Sequence, residues 1–247
     1  MRRVAILGGT RGMGRSLARR FVERGDWVAL LGRDAEELAR SQSDLQARGA
    51  PGVRVVTALC DLEDTGTFRP ALEGVEQALE GMDTVVVTAA VFATQEKLEA
   101  DPVLAQKMLT VDFANTIVFC EEARKKLLLR GKGTLCVFSS VAGDRARKPV
   151  VLYGAAKAGL SAYLEGLDHR YRSQGLTTVC VKPGFVKTAM TAGLPTPPFA
   201  GDPDDVAITV IEAIDHGTPV VYAPPIWRAV MTAIKAMPRF IMRRAKF

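Results

Sequence analysis

The sequence predicts a doubly wound α/β fold, a seven-stranded parallel sheet flanked by helices on both faces. Three observations predict it. Short runs rich in Val, Leu and Ile alternate with amphipathic segments along the chain, most of these runs are apolar on both faces, and the first ends in glycines that open directly into a helical pattern. The strands are expected at residues 3–7, 27–31, 53–57, 84–88, 134–139, 177–181 and 219–222. Between them lie segments such as residues 14–24 and 35–48, with apolar residues at helical spacing. Asp202-Pro203 marks a helix start, with Asp as cap and Pro in the first turn. Residues 194–201, with three prolines, read as a loop or flap.

At 247 residues, 48% hydrophobic and 24% charged, the chain can enclose one substantial core. We assign residues 1–225 to a single domain and residues 226–247 to a basic amphipathic tail. Of 33 basic residues, six lie in that tail (Arg228, Lys235, Arg239, Arg243, Arg244, Lys246) with no acidic residue among them, so the body balances its 27 acidic groups. The basic charge is local and does not point to nucleic acid. The apolar stretch after Arg2 and Arg3 is too short for a signal peptide, and runs such as residues 85–93 are too short to cross a bilayer. Four scattered cysteines (Cys60, Cys120, Cys136, Cys180) read as buried thiols in a reducing cytoplasm, and no metal is expected.

The turn Gly8-Gly9-Thr10-Arg11-Gly12-Met13-Gly14 lies between the first strand and the first helix. Its glycines allow a tight turn and close approach of a pyrophosphate, whose charge the helix N-terminus favours. That placement makes the sheet a Rossmann-type dinucleotide site. Gly8, Thr10, Arg11, Gly12, Met13 and Gly14 are the expected contacts. The second strand is followed by Arg33, where an NAD site usually carries an acid. Arg33 and Arg11 together suit the 2′-phosphate of NADP(H), the expected cofactor. Asp34 leaves NAD(H) open as the alternative.

Tyr153 and Lys157 stand four residues apart on one helical face. Reduction of a ketone by hydride leaves an alkoxide that needs a proton. Free tyrosine, with a pKa near ~10, is mostly neutral, and a neighbouring ammonium is expected to draw it toward working pH. Ser140, at the end of the fifth strand, supplies a hydroxyl where ligands bind such sheets.

The strings Ser139-Ser140-Val141-Ala142-Gly143 and Tyr153-Gly154-Ala155-Ala156-Lys157, with the glycine turn, resemble the short-chain dehydrogenase/reductase family across residues 4–190. The resemblance implies that Ser140 positions the carbonyl, Tyr153 is the acid/base, and Lys157 also holds the nicotinamide ribose. It places Asp61, with Leu62, beside adenine, although Asp61 also fits a helix cap. It implies room for the cofactor at Ala89-Ala90. Contacts are implied from Pro183, Gly184, Val186 and Thr188, the latter two with the carboxamide. Asp112 replaces the family's helix asparagine, which supports a water relay to the lysine, and Asn115 is a partial substitute one turn later. Within the family, the Ser-Ser-Val-Ala-Gly-Asp-Arg stretch, Tyr153-Gly154, the Tyr-Ala-Pro segment and the basic tail resemble reductases of polyprenyl-phosphate-linked 2-keto-pentoses.

Two features bear on substrate. Arg145, Arg147 and Lys148 lie between Ser140 and Tyr153, either as a solvated loop or as receivers of an anion. In the tail, Trp227, Val230, Met231, Ile234 and Met237 recur at helical spacing, with a kink expected at Pro238. Such a helix fits an anionic membrane surface or packing on protein. The expected substrate is a small-molecule or lipid-linked carbonyl, handled in the cytoplasm or at the inner face of the membrane by a homo-oligomer. A 3-oxoacyl or polyketide-type reductase is the first alternative, and a redox-silent NADP-binding regulatory protein the second.

Overall fold

In the computed structural model, which describes residues 1–245, the chain runs β1 (Arg3–Leu7), α1 (Gly12–Glu23), β2 (Trp27–Gly32), α2 (Ala35–Arg48), β3 (Val55–Leu59) and α3 (Phe68–Ala78). It continues through β4 (Thr84–Val87), α4 (Gln95–Ala100), α5 (Pro102–Leu109), α6 (Thr116–Leu129), β5 (Gly133–Phe138) and α7 (Val151–Tyr171). It ends with β6 (Leu176–Pro183), α8 (Pro203–His216), β7 (Val220–Ala223), α9 (Ile226–Ala236) and α10 (Arg239–Met242). Lys246 and Phe247, the last residues of the tail, lie outside the described residues.

All seven strands are parallel, in the order β3-β2-β1-β4-β5-β6-β7. The chain builds outward from β1 to β3, then restarts at β4 on the other side. The order therefore reverses between β1 and β4, where the ends of the strands leave a crevice. Alternation along each strand divides the core into two layers. Val4 and Ile6 meet Leu17, Phe21, Leu38 and Val210 from α1, α2 and α8. Ala5 and Leu7 meet Leu72, Phe119 and Leu164 from α3, α6 and α7. Strands buried on both sides need the unbroken apolar runs seen in the sequence.

Boundaries moved where local turns intervene. β3 starts at Val55 rather than residue 53 because the Val53 N–H donates to Ala50 O across the Gly52 turn (3.2 Å). β6 extends through Lys182 and Pro183, which pair with Tyr222 and Ala223 of β7. The Asp202 carboxylate accepts from the Asp204 N–H at 2.9 Å, so α8 begins as its Asp-Pro signal specifies.

The helix implied around Asp112 extends from Pro102 to Leu129. It is 28 residues long with a mean hydropathy of 1.2 in its most apolar window, long and apolar enough to cross a bilayer by those criteria alone. Its Val111, Phe119, Cys120, Ala123 and Leu127 are instead spent on the core. A π-helical turn, Thr110–Asn115, interrupts it.

The apolar face of α9 packs on the body of its own chain. Trp227, Met231 and Ile234 are buried against Val141, with Phe185 and Tyr222 alongside. Trp227 Nε1 donates to Phe199 O at 3.2 Å, and a Cβ on Gly184 would meet that indole nitrogen at 2.0 Å. The helix stops at Ala236, and Pro238 separates it from α10.

Candidate active site

The glycine turn is shaped by contact with the end of β4. Gly8 has φ +90, a conformation that side chains disfavour, and a Cβ there would lie 2.6 Å from Ala89 N. A Cβ on Gly14 would lie 2.3 Å from Gly8 O. Thr88 fastens the crossing point, its Oγ1 lying 3.2 Å from Leu7 O and 3.0 Å from Gly8 O. α1 begins at Gly12 behind Arg11, which provides no side-chain cap, and no acidic residue occupies its first turn. The first N–H groups of the helix therefore lack a side-chain acceptor, an arrangement suited to a pyrophosphate.

This turn opens on a cleft of about 360 Å³. Gly8, Thr10, Arg11, Gly12, Met13, Gly14, Arg33, Asp61, Leu62, Ala89, Ala90 and Thr188 line it together. Pro183, Gly184 and Val186 do not line it, nor do Ser140, Tyr153 and Lys157. Sequence reasoning missed Thr88, Val91, Val111, Ala189 and Met190, which also line the walls. Thr88 and Val91 directly flank the alanines and were open to inference from adjacency. Val111 comes from the π-helical turn, which no spacing revealed.

At the rim, Arg11 pairs with Glu37 (3.2 Å) and Arg33 with Glu63 (2.9 Å), with both arginine side chains well exposed. Such exposed pairs are worth little, so a phosphate can displace the carboxylates. The Asp34 carboxylate accepts from the Glu37 N–H at 3.0 Å and caps α2, which holds it below the usual carboxylate range. Asp61 accepts from the Glu63 N–H at 3.0 Å, so it both lines the cleft and stabilises a turn.

The serine pair at the end of β5 divides its tasks. Ser139 Oγ donates to Lys157 O at 2.8 Å and contacts Ser161 Oγ, tying β5 to α7. Ser140 Oγ accepts from the Ala142 N–H at 3.1 Å, a bond that leaves its proton unspent, and its hydroxyl lies near enough to Tyr153 to favour the phenolate slightly. Lys157 Nζ stands 5.5 Å from the Tyr153 ring centroid, and Phe92 meets that ring edge to face at 5.2 Å. Ser140, Tyr153 and Lys157 are thus one cluster, beyond the β4 side of the cleft.

Behind it lies Asp112, fully buried. Its Oδ1 accepts from the Val91 N–H at 2.7 Å, and its Oδ2 lies 3.4 Å from Lys157 Nζ. Lys157 Nζ also donates to Phe138 O at 3.4 Å. Burial drives Asp112 above the usual carboxylate range against the pull of Lys157. Burial opposes the ammonium, but Asp112 and then Tyr153 outweigh it, so Lys157 stays above its ordinary value.

Two expectations are corrected here. Tyr153 is not drawn down toward neutral pH. Burial pushes it up, Lys157 pulls it down, and Asp112 pushes it up again, leaving it above its ordinary value. Asn115 does not substitute for the missing relay residue, because its Nδ2 donates to Leu62 O at 2.6 Å, toward the adenine side of the cleft.

The loop cations are unequal. Arg145 donates to Met237 O (2.8 Å) and Lys148 to Arg243 O (2.5 Å), both carbonyls at the ends of the tail helices. Arg147 Nε is buried with no hydrogen-bond partner among the described residues. Asp144 accepts from Lys182 (2.5 Å) and from Tyr222 (2.7 Å), joining β5, β6 and β7 on this side.

The family model described as short chain dehydrogenase matches residues 2–197. An uncharacterized oxidoreductase of Mycobacterium tuberculosis is 32% identical over 241 residues, covering 98% of this chain and 96% of the relative. A solved short-chain type dehydrogenase/reductase from Mycobacterium ulcerans superposes with a TM-score of 0.82 at 19% identity, covering 90% of this chain and 87% of the other. A short chain dehydrogenase from Burkholderia cenocepacia, solved in complex with NADP, has a TM-score of 0.77 at 26% identity, covering 86% and 90%.

Proposed function

The chain belongs to the short-chain dehydrogenase family, and from that membership we propose that it is an NADP(H)-dependent oxidoreductase interconverting a ketone and a secondary alcohol. The observation that carries this reading is the cluster of Ser140, Tyr153 and Lys157 beside a glycine cradle that a single Cβ would fill. When bound, the dinucleotide supplies or accepts the hydride. The glycine turn and the α1 N-terminus hold its pyrophosphate, Arg11 and Arg33 its 2′-phosphate. Ala89 and Ala90 leave it room, and Asp61 with Leu62 borders adenine. Pro183, Gly184, Val186 and Thr188 border the nicotinamide end. Asp34 caps α2 through Oδ1, whereas Arg11 and Arg33 flank the cleft as exposed cations, which supports NADP(H) over NAD(H). The NADP complex of the Burkholderia cenocepacia relative agrees with that preference.

In reduction, the Ser140 hydroxyl donates to the substrate carbonyl and holds it. Tyr153, a neutral phenol, gives its proton to the developing alkoxide, and Lys157 stabilises the phenolate left behind. In oxidation the same tyrosine must start as phenolate.

For the substrate we favour an anionic, amphipathic carbonyl such as a lipid-phosphate-linked keto-sugar. Arg147 supports it, since its Nε is buried with no hydrogen-bond partner among the described residues and burial disfavours its charge. On α10, Phe240 and Ile241 are exposed beside Arg239, Arg243 and Arg244, a combination suited to peripheral contact with an anionic membrane. We propose a homo-oligomer as the working form.

The test follows NADPH absorbance with a carbonyl panel containing a polyprenyl-phosphate keto-pentose, a 3-oxoacyl thioester and simple ketones. Turnover of the first above the others supports the substrate reading, and preference for the thioester replaces it with an acyl or polyketide-type reductase. Arg11→Ala with Arg33→Ala should weaken NADPH and leave NADH nearly unchanged; equal loss of both refutes the cofactor assignment. Vesicle sedimentation with Phe240→Ser and Ile241→Ser tests the membrane contact without removing α9. Undiminished binding by the variant refutes that role for α10.

A further inference from the structure

We propose that Asp112 is a positioning residue that pairs with Lys157, withholds part of the lysine's charge from Tyr153, and so fixes the site in the proton-donating state that ketone reduction requires. The inference rests on the oxidoreductase reading and deepens it.

The two carboxylate oxygens have separate roles. Oδ1 receives the Val91 N–H at 2.7 Å and holds the segment after β4. An amide oxygen would accept that bond equally well. Among the described residues Oδ2 has no hydrogen-bond partner; it is sealed from solvent and lies 3.4 Å from Lys157 Nζ. The negative charge itself is therefore answered there by the lysine. Buried ions are costly unless paired, so a carboxylate kept here must have its effect through that pair.

The other groups around Lys157 Nζ do not replace it. Tyr153 approaches from the same helix, one turn earlier. β5 contributes the Phe138 carbonyl. β6 contributes Cys180, a thiol that burial keeps neutral. The segment after β4 contributes only the Val91 N–H, already taken. Tyr153 consequently faces a nearly neutral Lys–Asp pair rather than an isolated cation.

The effect follows from the proton's path. In reduction the Tyr153 O–H bond breaks, its proton joins the alkoxide formed by hydride from NADPH, and the phenolate is reprotonated by water. A carboxylate behind the lysine keeps the phenol protonated to higher pH, which widens the range of reduction. It delays oxidation, which needs the phenolate first.

The full-length enzyme with NADP(H), assayed in both directions across pH, tests this with Asp112→Asn. The alkaline limb of reduction and the acidic limb of oxidation should both move down by about one pH unit. Below the wild-type midpoint, oxidation should then rise roughly tenfold. Asp112→Glu should stay near the wild-type limbs, and Asp112→Ser serves as a second neutral variant if the amide folds poorly. Limbs that stay in place while both rates fall equally would assign Asp112 a purely structural role and overturn the proposal. A phenolate absorbance titration, taken as the difference with and without Tyr153→Phe in each background, reads the same shift without a substrate. If no carbonyl turns over, the oxidoreductase reading fails while this titration still decides the role of Asp112, and an unmoved phenol refutes it.

Discussion

Tyr153 and Lys157 stand one helical turn apart, a spacing that gains chemistry only from its surroundings. Those surroundings were legible where they lie in continuous strings, as in Ser139-Ser140 or the glycine turn. The resemblance connects Asp112 to Lys157 only through a water relay, and their direct pairing, 45 residues apart, was not legible. The error over Asn115 has a physical cause. In a regular helix Asn115 would sit beside Asp112, but the π-helical turn rotates it toward Leu62. At this scale the glycine cradle gives a direct prediction. Gly14→Ala places a methyl 2.3 Å from Gly8 O, within backbone that cannot yield cheaply. It should destabilise the protein by about 2 kcal/mol. It should also weaken NADPH by roughly tenfold or more, read by denaturant melts and fluorescence titration.

At the scale of elements, the seven parallel strands and the capped start of α8 followed from pattern, because buried parallel strands need apolar runs and an Asp-Pro start fits few alternatives. α9 was ambiguous for an equally physical reason, since an apolar stripe at helical spacing suits lipid and protein alike. Packing decided it: Trp227 occupies the space above Gly184, and its neighbour Val141 directly follows Ser140. Trp227→Ala should therefore cost about 3 kcal/mol in denaturant unfolding, with a fall in kcat/KM. Loss of stability below about 1 kcal/mol would mean that α9 contributes little to the core. The full length of the Pro102–Leu129 helix is not readable from pattern, because polar Asp112, Asn115 and Glu121 break its apolar run.

For the whole molecule, two apolar layers enclose the sheet, and the four free cysteines lie within them. Burial pushes the Cys60 thiol up to about 12 from an ordinary 9.0. A neutral buried thiol contributes stability that is complete below the unfolded value and is lost as pH rises toward the folded one. Denaturant midpoints should accordingly fall above about pH 9. At pH 8, thiol reagents should label the native protein only at the rate of its opening. Rapid labelling of the native state would contradict this packing.

The most direct measurement concerns the site that both layers support. NADPH oxidation is followed with the best carbonyl of the panel, comparing wild type with Tyr153→Phe, which keeps the ring against Phe92 and removes only the hydroxyl. The expected loss of kcat is roughly 10²–10⁴-fold, with NADPH affinity and unfolding midpoint unchanged. Turnover that survives in Tyr153→Phe would contradict the assignment of this tyrosine as the proton donor.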